Sequence, residues 1–425
     1  MRNRFTLLFF VSCFVCSVIK AQTNIDTVHV KLPDAEKMFL DSNLLLLAQK
    51  YNIDANKALI IQARLLPNPN FSIAHGLYSG ALNEFFPTGA NDETSASLSQ
   101  LILLAGKRNK QIKLAQANVQ LSEYQFFDLI RTLKYTLGTD FFNIYYLQES
   151  QKVYSKEISA LQQVVNAFEQ QAGKGYIAEK EVVRVKAQLY SLQSEYNDLQ
   201  NQVNDLQSEL KLLLQAKPAV YIDPEPDTIS VAALDPAKYA FDILLDSAYK
   251  NRTDLLVAQS NTDINRLNYD YQKALATPDL TLSVGYDEQG SFLTNFYSIG
   301  AAIDLPFFNR NQGNIKSAKA MIDYSAATQK STQASVQENV SRALQKAYSQ
   351  DKLYKNIDPA FSDDFDRLAN EVLINYEKRN IGLLDFLDFY DSYKQNILQI
   401  NSIKYNRVQS FEDINFYTGT NFFNQ

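Results

Sequence analysis

The chain is poor in the residues that cross-link, ligate or interrupt a fold. Its two cysteines, Cys13 and Cys16, both lie near the start. Bulky residues follow Cys13 and precede Cys16, so neither sits in a convincing lipoprotein box. Beyond them the 425 residues offer no thiolate nucleophile, thiolate ligand or disulfide. Histidine is as scarce: His29 and His75 lie in different segments, too few nitrogen ligands for a tight transition-metal site. There is no G-x-S-x-G elbow, phosphate loop, dinucleotide fingerprint or H-E-x-x-H helix. An enzyme is therefore not expected, and no cofactor is implied. The net charge of −6 gives no footing for nucleic acid. Only 13 glycines and 11 prolines punctuate the chain, which points to a mainly helical molecule.

Long apolar runs are missing too, except at the start. Arg2 and Arg4, the run from Phe5 to Ile19 and a cleavage point at Ala21 describe a secretory signal peptide over residues 1–21. No later run of 18 or more apolar residues follows, so no transmembrane helix is expected. An exported chain of this kind is soluble or crosses a membrane as strands.

What is present is helix on an unusual scale. Between Lys107 and Gln215 there is no proline, and the glycines are Gly138, Gly173 and Gly175. An unbroken helix from Lys107 to Ala172 is about 100 Å long. Gly173-Lys174-Gly175 supplies the reversal. The return arm carries Val182, Val185, Leu189, Leu192, Tyr196, Leu199, Val203, Leu206, Leu210 and Leu213, steps of three and four that form a coiled-coil seam. The stretch reads as a hairpin of two long helices.

The chain also repeats itself. Residues 33–65 read as a helix ending at Pro67 and Pro69, followed by extended stretches at about 70–78 and 94–104 around a loop over 79–92. The helical hairpin then spans 107–216, and Pro218, Pro224, Pro226 and Pro236 mark a linker over 218–240. Then Leu255-Leu256-Val257-Ala258-Gln259 echoes Leu45-Leu46-Leu47-Ala48-Gln49, and Pro278-Asp279-Leu280 echoes Pro69-Asn70-Phe71. Ile315-Lys316-Ser317-Ala318 echoes Ile112-Lys113-Leu114-Ala115, and Ile381 echoes Ile177, all at offsets between 203 and 210. Residues 22–217 and 241–425 are thus expected to be two copies of one unit, the second with strands at about 279–287 and 296–305 and a helical hairpin over 313–416.

In the second copy Leu280, Leu282, Val284 and Tyr286 alternate with Thr281, Ser283 and Gly285, and Tyr297, Ile299, Ala301, Ile303 and Leu305 with Ser298, Gly300, Ala302 and Asp304. Each strand is roughly nine residues, the length that crosses a bilayer when tilted. One such hairpin alone fits a half-buried soluble sheet. Export, two equivalent hairpins and flanking helices move the reading toward lipid. Four strands leave open edges, which lipid does not tolerate, and the smallest membrane barrels have about eight strands. Three chains giving four each close a barrel of about twelve, so a homotrimer is expected. Pro67, Pro69, Pro278 and Pro306, with Gly106 at the fourth junction, mark the helix–strand transitions.

Ala63-Arg64-Leu65-Leu66-Pro67-Asn68-Pro69-Asn70, Gly106-Lys107-Arg108 and Leu305-Pro306-Phe307-Phe308-Asn309-Arg310-Asn311-Gln312-Gly313-Asn314-Ile315 carry a resemblance to the TolC-like outer-membrane efflux family. It covers essentially the whole mature chain, and the last two stretches are most similar to its heavy-metal (RND-type) branch. The resemblance implies a trimer whose strands form one β-barrel in the outer membrane of a Gram-negative bacterium, continued as an α-helical barrel across the periplasm. It implies a passive exit duct of a tripartite pump, with a periplasmic adaptor (membrane fusion) protein and an inner-membrane transporter of RND type as partners. Metal cations are the first candidate cargo, and drug or polypeptide export is the alternative.

By the same resemblance the helical turns are periplasmic tips where the adaptor docks: Gly175, Tyr176 and Ile177 in the first, Asn380, Ile381, Gly382 and Leu383 in the second. Stapling of each turn is an equal reading of these residues. Asp385 and Asp388 share one face at the start of a helix and resemble the family's acidic aperture. Acidic residues in a first turn also suit the helix dipole wherever they face. In the first copy the equivalent positions hold Glu181 and Arg184. Asp391 is a weaker candidate for that face. An exported structural or adaptor coiled-coil protein without a pore is the competing class, although an adaptor carries one helical hairpin rather than two.

Overall fold

The computed structural model describes residues 26–80, 83–87, 93–290, 293–358, 360–378 and 380–423. The signal peptide, both cysteines and Arg379 lie outside the described residues. In chain order the elements are β1 (Asp26–Val30), α1 (Leu32–Ser42), α2 (Leu44–Arg64), β2 (Asn70–His75), β3 (Tyr78–Ser79), β4 (Glu84–Phe85), β5 (Thr94–Ile102), α3 (Lys107–Gly173) and α4 (Glu179–Leu214). There follow β6 (Val220–Pro224), α5 (Thr228–Ala232), a 3-10 turn, α6 (Phe241–Asn251), α7 (Thr253–Leu275), β7 (Leu280–Gly290), β8 (Leu293–Ile303), α8 (Gln312–Lys355), α9 (Phe361–Glu377) and α10 (Leu383–Thr418).

The expected rod over Lys107–Ala172 is one helix, α3, 67 residues long, started by Gly106 at φ +65°. All ten seam residues of α4 are buried or half-buried, since that stripe faces α3 along its length. The other expected helices are divided. Residues 33–65 form two helices, because the Asn43 carboxamide accepts the Leu45 and Leu46 N–H groups at 3.0 and 3.2 Å and starts α2 afresh. The ascending arm of the second hairpin ends at Lys355 and resumes at Phe361. The sequence has Pro359 in that gap, and proline lacks the N–H a continuing helix needs.

One four-stranded antiparallel sheet runs β2-β5-β7-β8, joining both halves of the chain. Its register lines up Phe71, Leu98, Val284 and Ile299 on one face and Ser72, Ser97, Gly285 and Ser298 on the other. The apolar row is exposed throughout, with Ile299 at 87 %, the reverse of a soluble sheet. On the polar face there is room for little: a Cβ at Gly285 would stand 2.7 Å from Ser298 Oγ, and one at Gly300 2.6 Å from Ser283 Oγ. The junctions fall where the prolines are. Pro67 and Pro69 lie between α2 and β2, Pro278 between α7 and β7, and Pro306 between β8 and α8.

Sequence reading missed the small parallel sheet in which β1 pairs with β6, Val28 opposite Ile222. It turns the first residues and the linker into one layer beside α3 and α4, with Val30, Phe39, Leu137, Ile144, Leu210 and Ile222 in a common core. On the other side, α6 packs on α8 and α10 around Leu244, Val340, Ala347 and Phe411. The linker is pinned to α10 by Arg407, which is 1 % exposed. Its guanidinium bonds Asp351 Oδ1 at 2.9 Å and donates to the Val231 carbonyl at 2.9 Å, with the Tyr354 ring 4.3 Å away. Arg407→Met leaves Asp351 buried with one cation fewer. It is expected to destabilise the protein by about 3–5 kcal/mol, read as a lowered unfolding midpoint in detergent.

Candidate functional site

The two helical turns meet at one end of the molecule, far from the sheet. In the first, Gly175 takes φ +76°, and the N–H groups of Gly175 and Tyr176 close on the carbonyls of Ala172 and Gln171, each at 2.9 Å. In the second, Asn380 closes on Asn375 through backbone at 2.9 Å and side chains at 3.0 Å. Gly382 is the N-cap of α10. Between the turns lies a groove of about 490 Å³ lined by Val164, Phe168, Tyr176, Ile177, Tyr376, Ile381 and Leu383 among others. Residues from the two separate stretches of sequence thus form a single apolar surface. Tyr176 is 75 % exposed, while Ile177, Ile381 and Leu383 are half-buried in the groove. Beneath, Tyr376 stacks on Phe386 at 4.5 Å, and burial, aided by the Glu181 charge, pushes its hydroxyl up to about 12.

The acidic pair divides its labour. Asp385 accepts the Gly382 N–H at 3.3 Å through Oδ2, a helix cap. Asp388 sits opposite the buried face marked by Phe386 and Tyr390, exposed and without a hydrogen bond or ion pair among the described residues. Asp391 is held by Lys394 at 3.3 Å and by Gln395 at 2.7 Å.

The charged layer above the tips was not anticipated. Lys394 is 6 % exposed and bonds Glu195 Oε2 at 2.9 Å, linking α10 to α4. Tyr154 of α3 donates to the same oxygen at 3.1 Å. Burial alone would push the Lys394 ammonium down, but Glu195, Glu157 and Asp391 outweigh it and hold the group above its ordinary value. Glu157, 2 % exposed, carries an oxygen that meets no donor among the described residues. Its carboxyl is raised to about 8 by burial, against the pull of Lys394 and with the push of Asp391 and Glu195. Its protonated form is thereby favoured near neutral pH. The signal was visible in outline: Glu157 falls between Tyr154 and Leu161 on the buried face of α3, and Lys394 beside Tyr393 on that of α10.

An exposed apolar sheet, a helical rod of about 100 Å and an apolar tip at its far end define an elongated envelope protein anchored by strands. Among the described residues no helix is long and apolar enough to cross a membrane. The outer membrane efflux protein model matches residues 37–215 and 244–420, and the chain belongs to that family. It is an outer-membrane channel reaching into the periplasm, and not an enzyme. The cobalt-zinc-cadmium resistance protein CzcC of Cupriavidus metallidurans is 26 % identical over 360 residues, 82 % of this chain and 80 % of that protein. The fold matches the Campylobacter jejuni CmeC outer membrane channel at TM-score 0.74 and 17 % identity, over 92 % of this chain and 86 % of that one. It matches CusC at TM-score 0.71 and 17 % identity, over 92 % of each chain.

Because Glu157 is raised from 4.5 to about 8, the folded state binds the extra proton between those values and its stability falls as pH rises through that window. Glu157→Gln removes this loss. Thermal melts from pH 5 to 9 are expected to coincide for the two proteins at the acid end, with the variant the more stable at the alkaline end.

Proposed function

We propose that the chain is the exit duct of a tripartite efflux system, a homotrimer that passes heavy-metal cations outward without supplying energy itself. The observation that carries this reading is the joint apolar groove of the two tips, at the opposite end of the helical rods from the exposed apolar sheet. One end suits lipid and the other suits a protein partner, as a conduit between a membrane and a pump requires. In this reading residues 22–217 and 241–425 are two copies of one unit, joined by 218–240. Three chains supply about twelve strands, enough to close a barrel where four cannot.

Tyr176, Ile177, Ile381 and Leu383 are the docking anchors for a periplasmic adaptor, with Gly175, Asn380 and Gly382 shaping the turns that present them. The adaptor in turn joins an inner-membrane transporter of RND type. Metal as cargo follows from similarity to a protein named for cobalt, zinc and cadmium resistance. It also suits a trimer that gathers Asp388 and Asp385 at the periplasmic mouth, where carboxylates concentrate cations. Passage requires no bound-metal site. Among the described residues no group of three or more His, Cys, Asp or Glu side chains is placed to hold an ion.

Single-channel recording in lipid bilayers tests the mouth: Asp388→Ala is expected to weaken block by divalent cations and to change conductance. Unchanged block and conductance would remove Asp388 from the pathway. Ile381→Glu tests the tip. Adaptor binding is expected to weaken by roughly 2 kcal/mol or more, with loss of metal resistance while the trimer still forms. Full resistance with a normal trimer would end the docking assignment.

A further inference from the structure

The chain contains, inside itself, a template for the joint between its copies. The sheet has two free edges, β2 and β8. It also has an internal seam, β5 against β7, where the first repeat meets the second, with Ile102 opposite Leu280 and Ser95 opposite Asp287. If the chains form a ring, as the proposed function has it, β8 of one copy meets β2 of the next, and with the two repeats taken as equivalent units the β5–β7 seam is the template for that joint.

The correspondence between repeats can be read from the ladders. Pro69 and Pro278 match in sequence, and the N-caps of α1 and α2, Lys31 and Asn43, match those of α6 and α7, Ala240 and Arg252. All are 209 apart, which makes Phe71 the counterpart of Leu280. Phe71 faces Leu98 in the first repeat and Leu280 faces Ile303 in the second, so Leu98 is the counterpart of Ile303, 205 residues on. The N-caps Gly106 and Asn311, both at positive φ, keep that same spacing. Transferred to the open edges, the β5–β7 register places Ile303 opposite His75 and Leu305 opposite Ile73 of the next copy.

We propose that copies of this chain join by antiparallel pairing of β8 with β2 in this register, the ladder continuing two residues beyond the present end of β8 and stopping at Pro306. Three features bear on it. The parity is right, because Ile73, Ile303 and Leu305 all belong to the apolar face, so the joint carries that face round without a flip. Leu305 and Ile73 are 64 % and 67 % exposed, two large apolar side chains at facing edges. Residues 100–102 of β5 run past the β2 ladder and are paired by β7, and residues 304–305 run past the β7 ladder in the same way with no strand beside them among the described residues. Pro306, which has no N–H to give, ends the pairing, and the Phe307 N–H turns back to the Leu305 carbonyl at 2.9 Å.

The absence of cysteine beyond Cys16 makes the test direct. Leu305→Cys and Ile73→Cys are placed in one chain, the protein is oxidised in its native membrane, and covalent species are resolved on denaturing gels. Directly opposed positions stand about 5 Å apart and diagonal ones about 7–8 Å. The pair is therefore expected to link into covalent dimers and trimers at least about tenfold faster than Leu305→Cys with Phe71→Cys or with His75→Cys. Single-cysteine chains should give none. Should the double variant fail to assemble, co-expressed Leu305→Cys and Ile73→Cys chains are expected to give a covalent dimer alone. A stable trimer linked faster through either diagonal pair, or through none, overturns the register while leaving the trimer intact. An unmodified protein that is monomeric in membranes removes the trimer itself.

Discussion

The structure depends on a mismatch between its sheet and water. Phe71, Ile73, Leu98, Val284 and Ile299 stand in register on one exposed face, and at about 25 cal/mol per Å² of apolar surface such a face is costly in contact with solvent. Ser72, Ser97, Gly285 and Ser298 make up the middle row of the other face. Lipid outside and water inside reverses the usual sense of a half-buried sheet, and the rest of the molecule is arranged around that reversal. The peptide groups at both free edges then need partners, because hydrocarbon offers none.

Below the sheet the problem is different. Helices as long as α3 and α4 are held by a seam that repeats every 3.5 residues, and a uniform apolar seam specifies register weakly. Polar groups set into it add that information. Lys394 with Glu195 and Tyr154, and Arg407 with Asp351, each fit one alignment of helices. A slip by one turn would bury these groups without partners, at a cost far above that of misplacing a leucine.

Much of this was legible in the residues. The α4 seam and the alternation at Leu280–Tyr286 announce themselves because their periods differ and nothing competes with either. The reversal at Gly173–Gly175 was readable from turn chemistry, and that at Asn380–Gly382 from the echo of Ile177 in Ile381. That both contribute to one groove was not, since it depends on how two distant hairpins pack. Asn43 was hidden between apolar runs that read as one helix. The β1–β6 pair joins segments some 190 residues apart, and parallel pairing leaves no turn to betray it. Asp385 and Asp388 looked alike in sequence; only geometry separates a cap from an unpaired carboxylate.

The two hairpins are not mechanical equals. In the first, one uninterrupted helix spans from Gly106 beside the sheet to Gly173 at the tip, so it behaves as a stiff strut whose ends move together. In the second, the matching arm is interrupted between Lys355 and Phe361, which places a joint partway along its length. The unbroken ladder of helical hydrogen bonds that ties tip to sheet in the first hairpin is therefore divided in two on the side that carries Asp388.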